Sequence, residues 1–149
     1  MSNSAVRTSA NRVTPALTGV HGILAGIAGG VVFGLMMQMM DMMPSVAMLV
    51  GSHSVGVGWL VHLAISTGLG AAFAMGLSSF VTSYGKSLGY GALYGMVLWV
   101  GGALIIMPAK LGMPLLNINT MAWQSLMGHV MFGMVLGAVF VAQQSTVAK

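Results

Sequence analysis

Four apolar stretches of about twenty residues or more fill most of this chain, and charge is found only at their edges. Of 149 residues only six are formally charged, five Lys or Arg and one acid. A soluble domain gives about a quarter of its residues to Asp, Glu, Lys and Arg, whereas here the share is 4% against a hydrophobic share of 57%. A surface so poor in charge belongs in lipid, and the bilayer is the first partner the sequence implies. The stretches run Thr18 to Met40, Val55 to Phe80, Leu88 to Met107 and Met121 to Ala142. As helices rising about 1.5 Å per residue, each can cross a hydrocarbon core about 30 Å thick. The expected fold is an all-α, polytopic membrane four-helix bundle.

The composition also removes whole classes of chemistry. There is no Cys, so disulfides, thiolate metal sites and thiol catalysis are excluded. The one acid, Asp41, cannot form a carboxylate pair or a carboxylate-rich Mg or Ca site. The five basic residues, Arg7, Arg12, Lys86, Lys110 and Lys149, form no run that could follow a phosphate backbone, so no nucleic acid is expected. No catalytic residue emerges, and the chain reads as a non-enzymatic protein.

Residues 1–17 read as a polar tail, 18–143 as the membrane domain and 144–149 as a second short tail. The first apolar run has 23 residues and ends in Met and Asp, which suits an uncleaved span better than a signal peptide. Four spans place both termini on one side. That side carries Arg7, Arg12, Lys86 and Lys149, and the other only Lys110, so the positive-inside rule puts the termini in the cytoplasm of a bacterial-type inner membrane. The outer loops, Asp41 to Ser54 and Pro108 to Thr120, stay apolar enough to lie in the interface or dip back into the bundle.

The halves resemble each other. Gly30-Val-Val-Phe33-Gly34 matches Gly91-Ala-Leu-Tyr94-Gly95, Pro44 matches Pro108, and His62 with Gly70-Ala-Ala-Phe73 matches His129 with Gly137-Ala-Val-Phe140. Each unit is two spans long, about 18–80 and 86–143, so the copies would be parallel helix hairpins related by a pseudo-twofold axis along the membrane normal.

Small residues recur every fourth position at Gly22, Gly26, Gly30 and Gly34, and again at Ala64, Gly68, Ala72 and Gly76. In lipid such stripes let backbones approach, within the bundle or at a homo-oligomer seam. His62 and His129 sit inside the outer ends of their spans, with Ser66 and Gly70, and Gly133 and Gly137, continuing the same faces. An imidazole in hydrocarbon needs a partner. The pair can tie helices by hydrogen bonds, ligate a b-type haem or a metal, or handle a proton or substrate. Methionine is over-used, with 16 residues. Met36, Met39, Met40 and Met43 would share one helical face, and with His53 they form a candidate Cu(I) set, although thioethers also simply fill space. At the outer rim Gln38, Asp41 and Lys110 are the polar candidates, Asp41 pairing with Lys110 or His53. Trp59 and Trp123 fit interfacial anchors.

The segments GYGALYG, MPAKLGMP and AWQSLMGHVMFGMVLG resemble the second half of the small bacterial inner-membrane proteins of the YagU kind. That resemblance covers about 55 residues, and implies a four-helix inner-membrane fold without assigning chemistry. The expected function is a small transporter or channel-like unit or an accessory subunit of a larger membrane complex. The alternative is a haem b or Cu(I) binding protein using the paired histidines and outer methionines.

Overall fold

The computed structural model describes residues 15–147, with side chains to Ser145. Residues 1–14 of the N-terminal tail, with Arg7 and Arg12, and Lys149 fall outside these residues, while residues 15–17 of that tail belong to the first helix. The described chain is a helical bundle. Helix α1 spans Pro15–Met39, α2 Met43–Ala47, α3 Val55–Leu77, α4 Tyr84–Leu98, α5 Met107–Leu111 and α6 Thr120–Val147. A 3₁₀ turn at Met48–Val50 follows α2, and a π-helical stretch, Trp99–Ile106, carries α4 into α5. Four helices, Pro15–Met39, Val55–Leu77, Tyr84–Leu111 and Thr120–Ser145, are long and apolar enough to cross a membrane, and they fit an integral membrane protein. The last helix runs on to Val147, where the sequence had suggested a tail.

Helix ends follow local chemistry. Pro44 stands in the first turn of α2, where a missing N–H costs little. The Ser83 hydroxyl accepts from the Lys86 N–H to cap α4, and the Asn119 side chain accepts from Ala122 N–H at 2.9 Å to cap α6. Asp41 closes α1 with φ of 54°, a left-handed position that Asp tolerates better than most residues.

Helices α1 and α6 are central, and α3 and α4 flank them. Two adjacent faces of α1 explain its position. Gly22, Gly26, Gly30 and Gly34 abut α3: Gly22 meets Gly70 and Ala74, Gly26 meets Ser66 and Gly70, Gly30 meets Ser66, and Gly34 meets the Trp59 ring. One residue round, His21, Ala25, Gly29 and Phe33 are buried. Of these, Gly29 and Phe33 abut α6. A β-carbon on Gly29 would stand 2.8 Å from the Phe132 carbonyl, and Phe33 lies over Gly128. The second hairpin closes likewise, Gly91 on Gly133, Gly95 on the His129 backbone and Ser87 on Gly137, whose carbonyl accepts a hydrogen bond from the Ser87 hydroxyl. In hydrocarbon these close approaches supply dispersion contacts that bulkier residues would block.

The counterpart of the α1–α6 seam is wide. Between α3 and α4 stand Tyr94 and Phe73, rings 5.3 Å apart, and Tyr94 Oη donates to the Leu69 carbonyl at 2.8 Å. Phe73 also meets Phe140 at 5.9 Å, so three helices join through these rings. The stripe Ala64, Gly68, Ala72 and Gly76 points away from the bundle, and nothing stands near a β-carbon on Gly68 or Gly76. The packing face of α3 is instead His62, Ser66, Gly70, Phe73 and Ala74.

Candidate functional site

Two imidazoles stand toward the end of the bundle that carries the loops 41–54 and 108–120. His62 lies on α3 and His129 on α6, and one phenyl ring from α1 touches both. Phe33 is edge-to-face with His62 at 5.3 Å and with His129 at 4.7 Å between centroids. The glycines explain how three helices bring rings this close: Gly30 lets α3 approach α1, Gly128 leaves space for Phe33, and Gly95 lets α4 approach the His129 backbone.

Each imidazole is tied by a single nitrogen. His62 Nε2 lies 2.9 Å from the Gly30 carbonyl, and His129 Nδ1 lies 2.8 Å from the Ser125 carbonyl and 3.3 Å from the Ser125 hydroxyl. A carbonyl only accepts, so the bonded nitrogen carries the proton in each ring. The neutral rings are therefore opposite tautomers, and Nδ1 of His62 and Nε2 of His129 are left as acceptors. Two acceptors attract a proton or a hydrogen-bond-donating cation. Any group shared by both rings must also accommodate or displace Phe33.

The other predicted residues divide around this group. Ser66 is buried below His62 against Gly26 and Gly30, and Gly70, Gly133 and Gly137 serve helix crossings further inward. The methionines do not form one face. Helix α1 stops at Met39, which is 86% exposed, while Met43 belongs to α2 and is 1% exposed. Met40 and His53 lie in connecting segments, His53 exposed. Met36, Met37, Met42, Met43 and Met107 instead pack around the same apolar core as Phe33. Among the described residues no cluster of three or more His, Asp or Glu that could hold a metal is present.

At the rim, Asp41 makes no ion pair with Lys110 or His53 among the described residues; its backbone N–H turns to the Gln38 carbonyl. Gln38 pairs with a tryptophan: Trp59 Nε1 donates to its Oε1 at 3.0 Å. Trp59 is thereby half-buried across Gly34, whereas Trp123 is 57% exposed and stacked on Trp99 at 6.2 Å.

Three residues were not singled out from the sequence. Ser125 is buried and holds His129; its spacing of four before the histidine was the available signal. Trp99 is buried against Ala122, and its Nε1 donates to that carbonyl at 2.9 Å. His21 is buried near the start of α1, with Nδ1 lacking a hydrogen-bond partner and its carbonyl accepting from Gln143 Nε2 at 3.2 Å. Its position one residue before the glycine stripe was the only hint. No protein-family model, curated protein or solved structure matches this chain.

Proposed function

We propose that this chain is a small, non-enzymatic multi-pass protein of the cytoplasmic membrane, of the transporter or channel-like kind, in which the His62–Phe33–His129 group accepts a proton or a small hydrogen-bond-donating cation. The supporting observation is a pair of imidazoles from different hairpins, His62 buried and His129 partly buried, each bound to the protein by one nitrogen only. Buried ionisable groups in a membrane span are costly and mark paths for protons and ions. The tightly crossed glycine helices correspond to a closed form, so passage requires the outer half to open. Orientation in this reading follows the four basic residues Arg7, Arg12, Lys86 and Lys149 on the terminal side against Lys110 alone on the other, with the termini cytoplasmic. The crossings Gly30–Ser66 and Gly26–Gly70, set beside Gly91–Gly133 and Ser87–Gly137, support an origin by duplication of one hairpin.

The reading is tested in proteoliposomes carrying a pH gradient. Parent protein should dissipate the gradient, and His62→Ala and His129→Ala should each slow this by about tenfold or more. A parent without flux, or variants that match it, would refute the proposal. A Soret band or stoichiometric copper in the gently purified protein would instead make the histidines ligands.

A further inference from the structure

The outer half of the second hairpin is built differently from the rest of the bundle. The third span does not finish as an α-helix: eight residues, Trp99–Ile106, are π-helical. A π turn is rare, and one inside a helix often marks a functional position. Gly101 and Gly102 lie within it, and no atom stands near a β-carbon on either. This region has its own small core, Trp99, Leu104 and Ala122 with Ala103 and Leu126 against it, separate from the main one.

Two hydrogen bonds hold the segment. Trp99 Nε1 donates to the Ala122 carbonyl of α6 at 2.9 Å. The second follows from Pro108. Proline has no N–H to return to the carbonyl four residues earlier, Leu104, and the Leu116 N–H reaches back to it at 2.9 Å. Leu116 takes φ of 54° to do so, an uncommon conformation for a bulky side chain.

Next to this segment runs the face of α6 that bears His129. Ala122, Ser125 and His129 succeed one another on one face of α6 at spacings of three and four. Gly95 packs on the His129 backbone, and Trp99 stands one turn outward, on Ala122. Beyond Trp99 come the exposed Trp123 and a loop in which Met113, Leu115, Leu116 and Ile118 are all more than half exposed. Trp99 is thus the buried aromatic ring of the small core between Ser125 and the outer surface, with Leu104 and Ala122 buried beside it.

We propose that Trp99, carried on the π-helical segment, is the outer gate of the Ser125–His129 column, and that release of its indole from Ala122 opens this column to the outer face. The proposal rests on the reading of the histidine pair as a functional site, but its test reads access and not transport. The natural chain has no Cys, so a single introduced thiol reports without background. In purified protein, Ser125→Cys should react with a small thiol reagent at least about tenfold more slowly than Asn117→Cys, because local opening must come first. Trp99→Ala should raise the Ser125→Cys rate by about tenfold, and Trp99→Phe, which removes the Ala122 bond but keeps an aromatic ring of smaller size, by a smaller factor. Trp123→Ala, which leaves that bond in place, should change it less than about twofold. Leu136→Cys, fully buried in the main core, should stay protected throughout.

A Ser125→Cys rate indifferent to Trp99, or equal to that of Asn117→Cys in the parent, would overturn the gate. Should Trp99→Ala also expose Leu136→Cys, the bundle has loosened as a whole and Trp99→Phe becomes the deciding variant. Trp99-dependent access in a protein without flux would leave the gate standing and refute the transport reading. Flux that needs the histidines, with access indifferent to Trp99, would do the reverse.

Discussion

The Phe33 ring stands over Gly128, in the space that a β-carbon there would take. The contact joins the two hairpins and places the ring against both imidazoles. Gly128→Val should therefore act at two levels. We expect a loss of about 1 to 3 kcal/mol from overpacking, read as a lower melting temperature in mild detergent, and a changed environment at His129, read from its imidazole resonances. A variant that melts like the parent would place Phe33 elsewhere.

The two small-residue stripes should respond oppositely. Gly26→Leu and Gly30→Leu push into the α3 backbone and the Ser66 side chain, so each should cost about 1 to 3 kcal/mol and the pair should lose the folded bundle. Gly68→Leu and Gly76→Leu point outward and should melt within about 0.5 kcal/mol of the parent. Thermal unfolding in detergent distinguishes them, and equal sensitivity at all four sites would contradict the packing.

Ser87 is fully buried and its hydroxyl donates to the Gly137 carbonyl. Ser87→Ala removes that bond with little change in volume. Interhelical bonds in membranes average about 0.6 kcal/mol with a maximum near 1.7, so a loss in that range is expected in the same melting assay.

The four spans were legible because lipid imposes long apolar runs. The outward face of α3 was not. Ala64, Gly68, Ala72 and Gly76 have the same spacing as Gly22 to Gly34, and only the register of the partner helix decides that Gly70 and Ser66 make the crossing instead. The methionine face assumed a helix running through Met43, whereas α1 stops at Met39 and Asp41 turns the chain. The Trp59–Gln38 bond spans 21 residues of separation, and the Trp99–Ala122 bond 23; side-chain type alone does not select such partners.

Topology is open to a direct check. Ser83 lies in the turn between hairpins and Asn117 in the second outer loop, both exposed. In intact cells an impermeant thiol reagent should modify Asn117→Cys and spare Ser83→Cys. Labelling of Ser83→Cys would invert the proposed orientation.

The wide α3–α4 side carries a consequence for biosynthesis. Each hairpin closes on helices adjacent along the chain, while the seam that unites them joins the first span to the last. During synthesis α1 can settle on α3 as soon as both have entered the bilayer. The face of α1 bearing Gly29 and Phe33 must then wait in lipid until α6 emerges. Maturation of the histidine group is thus the last event in assembly, and a chain stopped after Leu111 would keep the first hairpin but leave His62 without its counterpart.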